Sequence, residues 1–154
     1  MNQITAARKA LEARLGTISP AAGYLTAAGA NVRTGWVNEV LKEADVSFPL
    51  IIVQPAKAAT DSVSNGIATR VPLAFNVVGA VQAGTDFEEA IDSLTCDLVR
   101  CLCPVPGAGV VWRSADMGGV TLSAPEQAPP GDGLSAACVL LVVELTVQLP
   151  AALA

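Results

Sequence analysis

A run of carboxylates, four thiols and two short glycine-rich turns are the parts of this chain whose residue types could do chemistry. The acidic series is Asp86, Glu88, Glu89, Asp92 and Asp97. Carboxylates grouped this way can hold a cation or share acid–base work. Here the first three fall in the opening turn of a predicted helix, where negative charge complements the helix dipole. The whole series then reads as a solvated helix face. The cysteines are Cys96, Cys101, Cys103 and Cys138. Thiolates are nucleophiles and metal ligands, but Cys101-x-Cys103 is not a zinc-knuckle spacing and the chain has no histidine. Cys96 and Cys103 stand about two turns apart on a continuous helix, too far to bridge. Four free thiols are expected. Cys96 falls off the apolar stripe of its helix, with no sequence neighbour that would lower its pKa. Gly107-Ala-Gly109 and Gly131-Asp-Gly133 open no helix, and no Gly-Lys-Ser/Thr follows them, so neither is a phosphate loop. Without histidine the commonest general base is missing. The expectation is a non-enzymatic chain with no cofactor, no metal and no catalytic residue.

The elements that carry these residues centre on Arg70 to Leu102. In Arg70–Gln82, Val71, Leu73, Phe75, Val77 and Val81 alternate with Arg70, Asn76 and Gln82, the period of a strand with one buried face. Ala83-Gly84 marks a turn. Thr85-Asp-Phe-Glu88 has the form of a capping box. Phe87, Ala90, Ile91, Leu94, Leu98, Cys101 and Leu102 then recur every three or four residues, one apolar stripe on a helix. The period changes from 2 to 3.6 across a short turn, which predicts a helix lying on the strand's apolar face.

An earlier helix is predicted over Asn2–Leu15. Ile4, Ala7, Leu11 and Leu15 form its stripe, Arg8, Lys9, Glu12 and Arg14 fill the rest, and Gly16 ends it. Between Ala21 and Phe48, Val32 suits a short strand, and Trp36, Val37, Val40 and Leu41 have helical spacing. Trp36 reads as a core anchor, with an interface anchor as the alternative. Pro49–Pro55 encloses a strand buried on both faces, its length limited by the prolines. Lys57–Thr69, with Asn65-Gly66 inside it, predicts a long hairpin or loop that makes the flanking strands antiparallel. Pro104 and Pro106 stop the second helix. Val110–Arg113 is expected as a strand, Asp116–Gly119 as a turn, Val120–Leu122 as a continuation or pairing partner, and Ser123–Ser135 as a loop. Ala137–Leu149 is the clearest strand: Val139, Leu141, Val143, Leu145, Val147 and Leu149 share one face. The expected architecture is a single α+β domain spanning 1–154, an antiparallel sheet of about four to five strands with two helices packed on one face and long loops.

Hydrophobic residues make up 52% of the 154 and charged residues 15%. Such a composition fits either an Ala- and Val-rich core or further burial between subunits. No apolar run reaches the roughly 18 residues a membrane span needs. Met1–Lys9 lacks the plan of a secretory signal, so synthesis in the cytosol is expected. A net charge of −5 argues against nucleic-acid binding through the surface as a whole.

Four segments together resemble a known family: Ile4-x6-Leu11-x3-Leu15, Phe48-Pro-Leu-Ile-Ile-Val53, Phe87-Glu-Glu-Ala-Ile-Asp-Ser-Leu-Thr-Cys-Asp-Leu98 and Val139-Leu-Leu-Val-Val-Glu-Leu-Thr-Val147. With the order of elements, they look like the tail terminator proteins of long-tailed phages, the minor tail proteins of the lambda-like type. The likeness lies in the pattern of elements over most of the chain. It implies a virion assembly protein, made in the host cytoplasm, that forms a homo-oligomeric ring, a hexamer, at the head-proximal end of the tail. Its implied partners are the major tail tube protein and the head–tail connector or neck protein. No membrane and no sequence-specific nucleic acid is implied, although DNA would pass through the ring. A head-closure or neck component is the alternative within assembly proteins; a small cytosolic ligand-binding or regulatory domain is the alternative from another class. For subunit contacts the expectation pairs Arg8, Lys9 and Arg14 of the first helix with Asp86, Glu89, Asp92 and Asp97 of the second. Asp61, Asn65 and Glu126, in the loops 57–69 and 123–135, are expected to meet the tube protein.

Overall fold

A computed structural model describes residues 1–43, 45–59, 63, 69–130 and 136–150. Among them the chain runs α1 (Gln3–Leu15), β1 (Val32–Thr34), α2 (Val37–Val40), β2 (Leu50–Ala56), β3 (Thr69–Gln82), α3 (Phe87–Leu102), β4 (Met117–Leu122), β5 (Glu126–Ala128) and β6 (Ala136–Leu149). The class is the expected α+β. The sheet has six strands in the order β1-β2-β3-β6-β4, with β5 also paired to β6. One pair, β1 with β2, is parallel. This is possible because α2 and the chain around it make the crossover that a parallel pair requires.

The frame is the ribbon of β3 and β6, 14 residues each, paired antiparallel from Thr69↔Leu149 to Gln82↔Ala136. On β6 the alternation is clean: Val139, Leu141, Val143, Leu145 and Val147 are buried on one face. Against that face lie α1, through Ala7, Leu11 and Leu15, and α3, through Ile91, Leu94, Leu98, Cys101 and Leu102. Phe75, Val77 and Val81 of β3 join them, with Leu73 partly buried at the margin. The missing member of that β3 row is Gly79. A Cβ there would sit 2.7 Å from Leu94 Cδ2 and 3.0 Å from Leu98 Cδ1. The glycine lets α3 approach the sheet more closely than any side chain would allow.

The second face is divided. At one end, Val40 of α2 packs with Leu50, Ile52, Val78, Ala80 and Ala136. This is why the second half of β3 is apolar on both sides. The N-terminal end of α2 is held by Gln54, whose Oε1 accepts from Val37 N at 3.1 Å. At the other end no helix among the described residues covers the sheet, and Arg70, Asn76, Glu144, Thr146 and Gln148 occupy it.

Several local expectations are corrected. The first turn of α3 has no capping box: its cap residue is Asp86, with no side-chain cap hydrogen bond. β2 runs through Pro55 to Ala56. Pro55 sits at an exposed position late in the strand, where its missing N–H costs little. Val110–Arg113 is not a strand. Trp112 instead turns inward, and its Nε1 donates to Leu102 O at 3.3 Å, satisfying a carbonyl left open at the end of α3. Met117 opens β4 rather than a turn, and Glu126–Ala128 forms β5 within the expected loop. Trp36 is 57% exposed, so it is not the core anchor expected. Asn65-Gly66 lies outside the described residues.

Candidate assembly surfaces

The charged residues singled out from sequence divide sharply once folded. On α1, Arg8 is half-buried and pairs with Glu12 one turn on, Nε to Oε1 at 3.6 Å. Arg14 is turned toward α3: its Nε donates to Cys101 O at 2.8 Å, helping to lock the C-terminal ends of the two helices. Of this basic trio only Lys9 is fully exposed. α1 and α3 lie side by side on one face of the sheet, and among the described residues no ion pair joins the basic groups of one to the acidic groups of the other.

On α3, Asp86, Glu88, Glu89 and Asp92 are exposed, and Asp92 Oδ1 accepts from Gln127 Nε2 of β5 at 3.0 Å. Asp97 is a correction. It is fully buried and belongs to no solvated face. Its Oδ1 accepts from Leu25 N at 2.9 Å, and its Oδ2 accepts from Thr26 N and Thr26 Oγ1, each at 2.7 Å. The segment after α1 has two short turns, Pro20–Ala22 and Ala28–Ala30, and leaves its amides without a ladder. A buried carboxylate is tolerable where several donors satisfy it. This one pins the segment to α3 and holds Leu25 outward, 62% exposed. A sequence cannot reveal a carboxylate whose donors lie more than 70 residues away.

Glu126 is exposed on β5. Asp61 and Asn65 lie outside the described residues. The four thiols are free. Cys96 and Cys103 are exposed, and Cys138 is half-buried. Cys101 is buried against α1, its Sγ 3.2 Å from Arg14 O. Burial pushes its pKa up, as it does that of Cys138. Tyr24, stacked near Arg100 with the guanidinium 5.8 Å from the ring centroid, is also pushed up, first by burial and then by its contact with Cys101. A buried thiol with a raised pKa is a packing group rather than a nucleophile.

A cleft of about 520 Å³ lies beside the β3–α3 turn, lined by Thr26, Phe48, Pro49, Val81, Thr85 and Phe87 among others. Its walls are mainly apolar, and Asp86 is the one ionisable side chain on it. Among the described residues no three His, Cys, Asp or Glu side chains gather to hold a metal, and no helix is long and apolar enough to cross a membrane. No protein-family model matches the chain, and no curated protein matches it.

Proposed function

We propose that the chain is a phage tail terminator: a non-enzymatic subunit of a ring, six-fold as the resemblance implies, that caps the tail tube, ends its polymerisation and offers the surface to which the head joins. The observation that carries this reading is the order and packing of the elements. The four segments behind the resemblance fall in α1, β2, α3 and β6, and both long helices lie on one face of the β3–β6 ribbon.

Physical features support the same reading. Trp36, Leu25, Val111 and Val105 are large apolar side chains left 43–62% exposed, and tryptophan is among the residues that most often anchor subunit contacts. A cyclic ring joins two unlike patches of each subunit. Such a ring can match the tube's end on one rim and present a different surface on the other. Tube protein then finds no copy of its own surface to extend, and growth stops.

The test is to measure mass in solution over a range of concentrations, and then to add the protein to tube protein as it polymerises. Rings in the concentrated sample and tubes held short by the protein support the reading. A compact dimer at every concentration, with tube growth unaffected, rules it out. Binding of a small apolar molecule in the cleft by Phe48 and Phe87, with no effect on tubes, would favour the ligand-binding alternative.

A further inference from the structure

We propose that the cleft holding Arg70 and Arg113 receives the carboxylates of the α3 N-terminus from a second copy of this chain, so that subunits join head to tail through these two patches. The inference rests on the ring reading above and names the contact that would close the ring.

Of the six arginines in the chain, four are engaged within it. Arg14 donates to Cys101 O and Arg33 pairs with Glu43 and Asp45. Arg100 reaches Gly23 O and the Tyr24 ring. Arg8 pairs with Glu12. Arg70 and Arg113 alone among the arginines have no hydrogen bond or ion pair among the described residues, and both line one polar cleft of about 490 Å³. Thr146, Gln148, Asp116 and Gly119 line it with them. The Thr146 hydroxyl is already used, donating to Gly118 O at 3.2 Å. Asp116 forms no ion pair with either arginine there, so the cleft carries two guanidinium groups and one carboxylate.

That balance selects the occupant. Guanidinium forks suit carboxylate and phosphate alike. A cleft of net charge +1 on a chain of net charge −5 favours a protein carboxylate over the dense charge of a nucleic-acid backbone. The chain exposes a matching group: Asp86, Glu88 and Glu89 at the start of α3 are exposed and have no partner among the described residues. These carboxylates cannot reach the cleft of their own subunit. Arg70 is near the first residue of β3, and α3 starts just beyond its last, a separation of about 40 Å at roughly 3.3 Å per residue. The two patches also lie on opposite faces: Arg70, Thr146 and Gln148 are on the face away from α3. Unlike patches at opposite ends of one subunit produce head-to-tail association, which gives a ring where the rotation between subunits closes and an open filament where it does not.

The test uses paired charge reversals in the full chain, Arg70→Glu with Arg113→Glu in one variant and Glu88→Arg with Glu89→Arg in another, followed by sedimentation velocity. All the substituted residues are exposed, and circular dichroism checks the fold. Each variant alone is expected to associate at least about 100-fold more weakly than the natural chain. An equimolar mixture of the two restores association, because each variant's cleft then meets a helix of opposite charge. Natural association persisting unchanged in both variants overturns this contact while leaving the ring reading standing. A natural chain that stays monomeric at every concentration and on tube ends overturns both. Loss of binding to a short DNA duplex in the arginine variant, with association unaffected, assigns the cleft to phosphate and also overturns the proposal.

Discussion

Replacing Asp97 with alanine tests how the segment between α1 and β1 is held. The carboxylate accepts from two backbone amides and one hydroxyl, at 2.7–2.9 Å, and is wholly buried. Hydrogen bonds to a charged acceptor contribute about 1.5–3 kcal/mol each, and a buried donor left without a partner costs about 1–3 kcal/mol. The three bonds share one acceptor group, and the freed loop can turn its amides partly to water beside the exposed Leu25. The expected loss is therefore about 2–4 kcal/mol, below the sum of the separate terms. For a chain of this length, that lowers the melting temperature by roughly 2–4 °C per kcal/mol. Urea denaturation followed by tryptophan fluorescence, with calorimetry beside it, measures the loss. Asp97→Asn keeps the shape but turns one acceptor oxygen into a donor facing other donors, and roughly half the loss is expected. A loss below about 0.5 kcal/mol for the alanine variant would refute the reasoning, since the carboxylate would then not be holding the segment.

Three further outcomes are expected. Leu94→Ala should cost about 2–5 kcal/mol and Gly79→Ala about 1–3 kcal/mol from overpacking against Leu94 and Leu98, both read from denaturant midpoints. In native protein, Cys96 and Cys103 should react quickly with an aromatic disulfide reagent, Cys138 slowly, and Cys101 only on unfolding; a fast Cys101 would contradict its burial. The pKa of Cys101 is raised in the fold, so above about pH 9 the unfolded chain loses this proton while the native state keeps it. The corresponding stability is fully present below that pH and is lost as pH rises through the folded value; Cys101→Ala should flatten the alkaline fall, and an unchanged slope would contradict the assignment.

The ribbon and the two long helices were legible because their periods are strong and local. The alternation in Val139–Leu149 and the stripe from Phe87 to Leu102 are set by burial of one face, and the structure keeps both. What could not be read depends on contacts distant in sequence. Gly79 looks like a weak point in a strand until Leu94 is seen against it. Asp97 shares the spacing of a solvated acidic face, but it faces a loop that no local pattern would bring there. Trp112 belongs to an apolar run that resembles a strand, yet its indole N–H is drawn to the end of α3. Among the expected contact residues, Arg8 and Arg14 are satisfied within the subunit. The arginines left unpaired among the described residues are Arg70 and Arg113, and Arg70 in particular was read only as the polar start of a strand.

Electron microscopy of particles assembled without this protein tests the central claim most directly. The account predicts tails of abnormal and variable length that fail to join heads, restored to uniform length when the protein is supplied. Tails of normal length beside open, unjoined heads would contradict it and assign the chain to the neck.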